Sequence, residues 1–114
     1  VMYGALEFYK TCLAAGIQPI IGMEVYLAPR KLTDKKPGLD TKYNHLLLLA
    51  KNKTGYKNLI QLTTIAHLQG FYYKPRIDEK ILTKYSDGLI AASACLKGKI
   101  PQLLLTHEYK QAKQ

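Results

Sequence analysis

Ile17-Gln18-Pro19-Ile20-Ile21-Gly22-Met23-Glu24-Val25-Tyr26-Leu27 is the stretch that decides the fold class. Its β-branched residues predict a strand, interrupted at Pro19 and Gly22. Upstream, Met2, Ala5, Leu6, Tyr9, Cys12 and Leu13 recur at helical spacing, and Gly16 can close that helix with a left-handed cap. Downstream, Pro29 to Lys42 is polar and basic, with Pro37-Gly38 as a turn signal, so it reads as a loop. His45 to Ala50 is a nearly continuous apolar run, the pattern of a strand buried on both faces.

Further along, Thr54 is placed to cap a helix whose apolar face is Tyr56, Leu59, Ile60, Thr63 and Ala66, and Gly70 ends it. Phe71 to Arg76 reads as an aromatic and basic link. Asp78 can cap a short helix ending near Tyr85, with Ile77 and Leu82 at the two positions of a hydrophobic staple. Gly88 leads into a strand from Leu89 to Ala94, whose small residues allow close packing. Pro101 suits the first turn of a helix running to about Leu105. Strands interleaved with helices give an α/β class. Three strands do not close a barrel, and the helical patterns at both ends are cut short, so the expectation is a piece of a larger domain.

The chain has 114 residues, 47% of them hydrophobic, which suits one small globular unit and argues against disorder. No apolar run is long enough to span a bilayer, and no secretory signal opens the chain. Its 2 cysteines, Cys12 and Cys95, are a poor disulfide framework, which suggests a reducing, cytoplasmic setting. A formal charge of +9, from 17 Lys and Arg against 8 Asp and Glu, favours polyanionic partners through counterion release; solvated surface lysines account for the same total.

Three residues could carry metal chemistry: Glu24, His45 and Cys95. Each lies at or near a strand end, and antiparallel pairing of the Glu24 and His45 strands across the loop would bring the two to one sheet edge. Each also has a plainer reading: a solvated glutamate, a hydrogen-bonded core histidine, and a small buried cysteine. No close-spaced motif such as CxxC or HExxH links them. His67 and His107 read as surface residues, and Cys12 as core. Phe71-Tyr72-Tyr73-Lys74-Pro75-Arg76 mixes rings with positive charge, so Lys74 and Arg76 are possible nucleic-acid or phosphate contacts. The alternative is a loop anchored by buried aromatics. Arg30, Lys31, Lys35 and Lys36 form a basic loop, either solvated or touching a phosphate backbone. There is no phosphate-cradling glycine loop, nucleophile elbow or adjacent carboxylate pair.

The wording of the sequence is more specific than its periodicity. Gly4-Ala5-Leu6-Glu7-Phe8-Tyr9-Lys10 is followed by Ala15 to Tyr26, then by His45-Leu46 and Leu49-Ala50-Lys51-Asn52, then by Thr54-Gly55-Tyr56-Lys57-Asn58-Leu59. Next come Gly70 to Asp78, Gly88-Leu89-Ile90-Ala91-Ala92-Ser93-Ala94-Cys95-Leu96 and Ile100-Pro101. This series, over essentially the whole chain, resembles the PHP (polymerase and histidinol phosphatase) domain of bacterial replicative DNA polymerase III alpha subunits. The resemblance implies part of a distorted (β/α)₇ PHP barrel, incomplete at both ends, with residues 1–114 as an internal piece of one domain. It also implies a cluster of metal ions, zinc or manganese, with Glu24, His45 and Cys95 among the ligands and the remaining ligands outside this stretch. No catalytic residue of polymerisation is implied within it.

The function implied is a metal-dependent phosphoesterase or proofreading 3'-5' exonuclease module within a DNA-directed DNA polymerase. Magnesium would serve polymerisation elsewhere in such a protein. The implied partners are DNA, deoxynucleoside triphosphates, a sliding clamp and a proofreading subunit, with no membrane. The alternatives are a stand-alone phosphoesterase of the histidinol-phosphatase kind and a PHP scaffold without catalysis.

Overall fold

A computed structural model describes residues 2–113; Val1 and Gln114, which enter the reading of the chain ends, lie outside the described residues. In chain order the elements are α1 (Ala5–Ala14), β1 (Gly22–Leu27), β2 (Asn44–Ala50), α2 (Lys53–Leu68), β3 (Phe71–Tyr72), β4 (Lys74–Ile77), α3 (Glu79–Lys84), β5 (Leu89–Ser93), α4 (Lys99–Leu105) and α5 (Tyr109–Lys113). The α/β class is as read from the sequence. Five strands form the sheet, in the order β3-β4-β1-β2-β5, where three were expected.

Strand direction matters more than strand number. β2 runs antiparallel to both β1 and β5, while β4 runs parallel to β1. The chain therefore leaves β1, β4 and β5 at one edge of the sheet and enters β2 at that same edge. The antiparallel pairing of the Glu24 and His45 strands is borne out, with Tyr26 opposite His45 and Glu24 opposite Leu47.

The core lies on one face. Met23, Val25 and Leu27 of β1 alternate inward and meet Leu48, Ile77 and the Leu59, Leu62 and Ala66 stripe of α2. The run His45 to Ala50 is not buried on both faces: Leu48 alone is fully buried, and its neighbours are half-buried. Continuous hydrophobicity here reflects one covered face and one open face, on which Ile90 is 51% exposed.

Several boundaries differ from expectation for local reasons. β1 starts at Gly22, not Ile17, because Pro19 has no N–H to give a ladder. Gly22 itself is required, since a Cβ there would lie 2.6 Å from the Leu48 carbonyl oxygen. Asn52, not Thr54, caps α2, its side-chain oxygen accepting from the Gly55 N–H at 2.9 Å. Asp78 caps α3 as predicted, accepting from the Ile81 N–H at 2.9 Å. α1 forms but buries no residue, so Cys12 is half-buried and not core. His67 is half-buried too, its Nδ1 at 2.8 Å from the Thr63 carbonyl; His107 is exposed as read.

The expected link from Phe71 to Arg76 is instead a small hairpin of β3 and β4, turned by Tyr73 at φ 59°. Arg76 explains it. Its guanidinium is completely buried and donates to the carbonyls of Gly70 at 3.2 Å, Asp40 at 2.7 Å, Leu32 at 3.2 Å and Asp34 at 2.9 Å. Burial pushes its pKa below the ordinary arginine value, and Asp40 opposes that shift. Every one of these bonds is internal, so Arg76 has no face left for nucleic acid; that expectation is corrected. Lys74 remains exposed, its Nζ 6.0 Å from the Tyr26 ring centre.

Arg76 also ties down the basic loop. Asp40, fully buried, takes a bidentate pair of bonds from Arg30 at 3.0 and 2.6 Å and one from the Lys36 N–H at 2.8 Å. The Arg30 hydrogen bonds, foremost, hold the Asp40 carboxyl below the usual carboxylate range against the opposing effect of burial. Asp78 completes the anchorage by accepting from the Leu32 N–H at 2.9 Å. The segment from Pro29 to Asp40 is thus a loop with a fixed course.

Candidate metal centre

Glu24, His45 and Cys95 come together. One ligand atom from each lies within 4.8 Å of the other two. Glu24 projects from β1 onto the open face, two positions before Tyr26. His45 projects from β2 onto that same face, diagonal to Glu24 across the ladder. Its Nδ1 contacts Glu24 Oε1 and lies 3.6 Å from Cys95 Sγ.

Cys95 lies two residues beyond β5, and the backbone around it is stitched to His45. The His45 N–H donates to the Lys97 carbonyl at 3.0 Å, and His45 and Gly98 form a parallel bridge. The Gly98 N–H closes the turn onto the Cys95 carbonyl at 2.7 Å. A Cβ at Gly98 would meet that same oxygen at 3.1 Å and the His45 carbonyl at 3.3 Å, so a larger residue would push the turn away. The Lys97 N–H points at Cys95 Sγ from 3.4 Å, a donor well placed to face a thiolate.

Rings surround the histidine. Tyr43 stacks on it with centroids 5.8 Å apart and planes 10° apart, and Tyr26 meets it edge-on at 5.2 Å. Tyr26 and Tyr43 also touch each other edge-on at 4.9 Å. Neither tyrosine was singled out from the sequence. Strand periodicity contains the signal, because Tyr26 stands two residues after Glu24 and Tyr43 two before His45. The His45 side chain is 16% exposed and that of Glu24 48%, so the cluster faces solvent from a half-enclosed ring.

The donor set suits a divalent ion. Carboxylate, imidazole and thiolate together fit zinc, and manganese is served by the first two. The Sγ to Nδ1 separation of 3.6 Å is close to the roughly 3.5 Å between a sulfur and a nitrogen on one tetrahedral zinc, from bond lengths of about 2.3 and 2.0 Å. Three donors would leave further positions of a divalent ion to be filled from outside the cluster. His67 and His107 do not join the group, and neither does Cys12.

The PHP domain family model matches residues 1–114. Among curated relatives, the DNA polymerase III subunit alpha of Borreliella burgdorferi is 52% identical over 113 residues, covering 98% of this chain and 10% of the relative. The protein of the same name from Thermus aquaticus is 53% identical over 106 residues, covering 91% of this chain and 9% of its own length. That of Treponema pallidum is 46% identical over 114 residues, covering 99% and 10%. The chain thus spans about a tenth of the length of these relatives. A mixed sheet with its helices, as found here, fits a partial (β/α) barrel. With the family model matched from first residue to last, the chain belongs to the PHP domain family.

Proposed function

We propose that this chain is part of the PHP domain of a replicative DNA polymerase III alpha subunit, and that Glu24, His45 and Cys95 belong to a metal centre acting on phosphodiesters. The single observation that carries the metal reading is the convergence of three ligand atoms, from β1, β2 and the turn after β5, within 4.8 Å. The name shared by relatives at 46 to 53% identity supports the polymerase context over a stand-alone phosphoesterase.

In this reading Glu24, His45 and Cys95 hold zinc or manganese, and further ligands come from outside residues 1–114. A divalent ion there supplies Lewis acidity toward a phosphodiester and lowers the pKa of water. Glu24 contributes negative charge that balances the cation. Tyr26 and Tyr43 fix the plane of His45 so that Nδ1 faces the cluster. The Lys97 N–H and the Gly98 turn hold the sulfur over that nitrogen. Lys74, at the open side of Tyr26, is placed to meet a phosphate approaching the cluster. Hydrolysis of a DNA 3' end is the activity that these parts suit.

The wider context follows from the same reading. DNA and deoxynucleoside triphosphates are the substrates of the polymerase, magnesium serves its polymerisation centre elsewhere, and a sliding clamp and a proofreading subunit are its partners. The compartment is the cytoplasm; no helix among the described residues is long and apolar enough to cross a membrane.

The test uses the full-length natural protein that carries this chain. Metal content is measured by mass spectrometry, alongside primer extension and 3' end hydrolysis of single-stranded DNA. Glu24→Gln and His45→Gln should each lower bound metal and hydrolysis while leaving primer extension largely intact. Wild-type protein that binds no divalent ion, or variants with unchanged metal and hydrolysis, would sink the metal reading. Wild-type protein without primer extension would sink the polymerase assignment.

A further inference from the structure

Beside the metal cluster, a groove of about 720 Å³ opens between the loop that leaves β1 and the start of α3. Ala28 and Pro29 form its root, where the Ala28 N–H donates to the Ile77 carbonyl at 2.8 Å. It therefore sits where β1 and β4 end, the same sheet edge at which β5 leads to Cys95 and β2 begins with His45. Its far wall includes Lys99, four residues past Cys95 and next to the Gly98 that bridges His45.

Charge distinguishes this groove. Arg30, Lys31, Lys80 and Lys99 line it, with the carboxylates of Asp78 and Glu79; Arg30 is already paired with Asp40 and Asp34. Asp78 is buried and spent on the Leu32 and Ile81 N–H groups. Glu79 pairs with Lys99, but both side chains are exposed, at 71% and 56%, and such a pair is weak enough to exchange for a phosphate. Lys31 and Lys80 are exposed and have no ion-pair partner among the described residues. The loop carrying Arg30 and Lys31 is held by Arg76, Asp40 and Asp78, so ordering these cations on a ligand costs little backbone entropy.

The geometry points to this groove as a track for the sugar-phosphate backbone of a single-stranded polynucleotide whose end lies at the Glu24, His45 and Cys95 cluster. The inference rests on the metal-centre reading and deepens it. Neither Lys31 nor Lys80 belongs to the cluster, and a mononucleotide held there has no second phosphate to offer them. A strand that ends at the cluster carries further phosphates, and the exposed Lys31 and Lys80 of the groove are suited to meet them.

The test is the Lys31→Ala/Lys80→Ala double variant of the full-length natural protein, with Lys31→Arg/Lys80→Arg as the rescue. Hydrolysis of a single-stranded oligonucleotide is compared with that of bis(4-nitrophenyl) phosphate, and the wild type and both variants are photo-crosslinked to an oligonucleotide carrying 4-thiothymidine. With two phosphate-binding cations removed, KM for the oligonucleotide should rise about tenfold, and the slope of log affinity against log salt should shrink by about 1.4. Turnover of the small diester should be unchanged, and the arginine variant should restore KM. Unchanged oligonucleotide KM and salt slope overturn the inference, as does an equal loss on both substrates. A double variant that keeps its oligonucleotide KM but loses a protein subunit on gel filtration assigns the groove to a protein and also overturns it. Should the wild type hydrolyse neither substrate, the metal-centre reading is what has failed, and crosslinking then decides the groove. Wild-type crosslinks within residues 28–33 and 78–81 that weaken in the double variant and return in the arginine variant uphold the track; their absence in the wild type removes it.

Discussion

Cys95 Sγ lies 3.6 Å from His45 Nδ1, although 50 positions separate the two residues in the chain. The approach is built from backbone. β5 pairs with β2 from Ala50↔Leu89 to Leu46↔Ser93, and the turn beyond it bonds back to His45 through Lys97. The sulfur is exposed, so packing does not explain its position.

Replacing Cys95 by Ala should therefore lower bound metal and phosphodiester hydrolysis together in the full-length protein. The melting temperature should move little, because an exposed side chain contributes little burial. Metal content, hydrolysis rate and melting temperature are measured on the same preparation. Unchanged metal with a lower melting temperature would make Cys95 a packing residue and remove it from the ligand set.

Arg76 should prove a structural residue with a large effect. Arg76→Met leaves the carbonyls of Gly70, Leu32, Asp34 and Asp40 without their guanidinium donor, at a cost of about 3 kcal/mol or more. Arg76→Lys should recover little of this, since one ammonium cannot reach four carbonyls in a planar fork. Hydrogen exchange in residues 29–40 is the direct measurement. Protection of that loop equal to wild type in Arg76→Met would contradict the anchoring role.

The sequence pattern carried the placement of the metal cluster further than that of its surroundings. An apolar run after His45, a basic loop before it and a strand through Glu24 were enough to read antiparallel pairing, and pairing alone brings the two ligands together. The Asp78 cap was legible because a cap is a local interaction with its own residue code. Arg76 was not. A buried guanidinium is satisfied by carbonyls up to 44 residues away, and no local pattern distinguishes it from a surface arginine. The β3–β4 hairpin was missed for the same reason, since two- and four-residue strands leave no periodicity to read. The open face of β2 was not legible either, because leucines facing an open side read the same as leucines facing a core.

Asp40 should give the basic loop an acid limit. Its folded pKa is depressed, so the stability it contributes is present above the ordinary carboxylate value of 3.8 and is lost as the pH falls through the lower folded value. Exchange protection in residues 29–40 should accordingly hold at neutral pH and weaken below about pH 4. In Asp40→Asn that loop should be less protected already at pH 7, with a flatter dependence on acid. A wild-type loop equally protected from pH 7 to pH 2 would rule out this coupling.

The isolated 114-residue chain should lack a cooperative native state. Its buried hydrophobic cluster comprises Met23, Val25, Leu27, Leu48, Leu59, Leu62, Ala66 and Ile77, on the side of the sheet that α2 covers. α1 buries nothing, and Tyr3, Leu6 and Leu13 are 84%, 62% and 54% exposed. The radius of gyration, 15.1 Å, exceeds the roughly 13 Å of a compact domain of this length. Each observation describes apolar surface without cover, and net stability of only a few kcal/mol does not survive that loss. Purified residues 1–114 should show helical far-ultraviolet dichroism, bind a hydrophobic dye and melt without a sharp transition. A cooperative melt without dye binding, in the absence of metal and partner, would mean that the single-faced core around Leu59 and Leu62 is sufficient by itself.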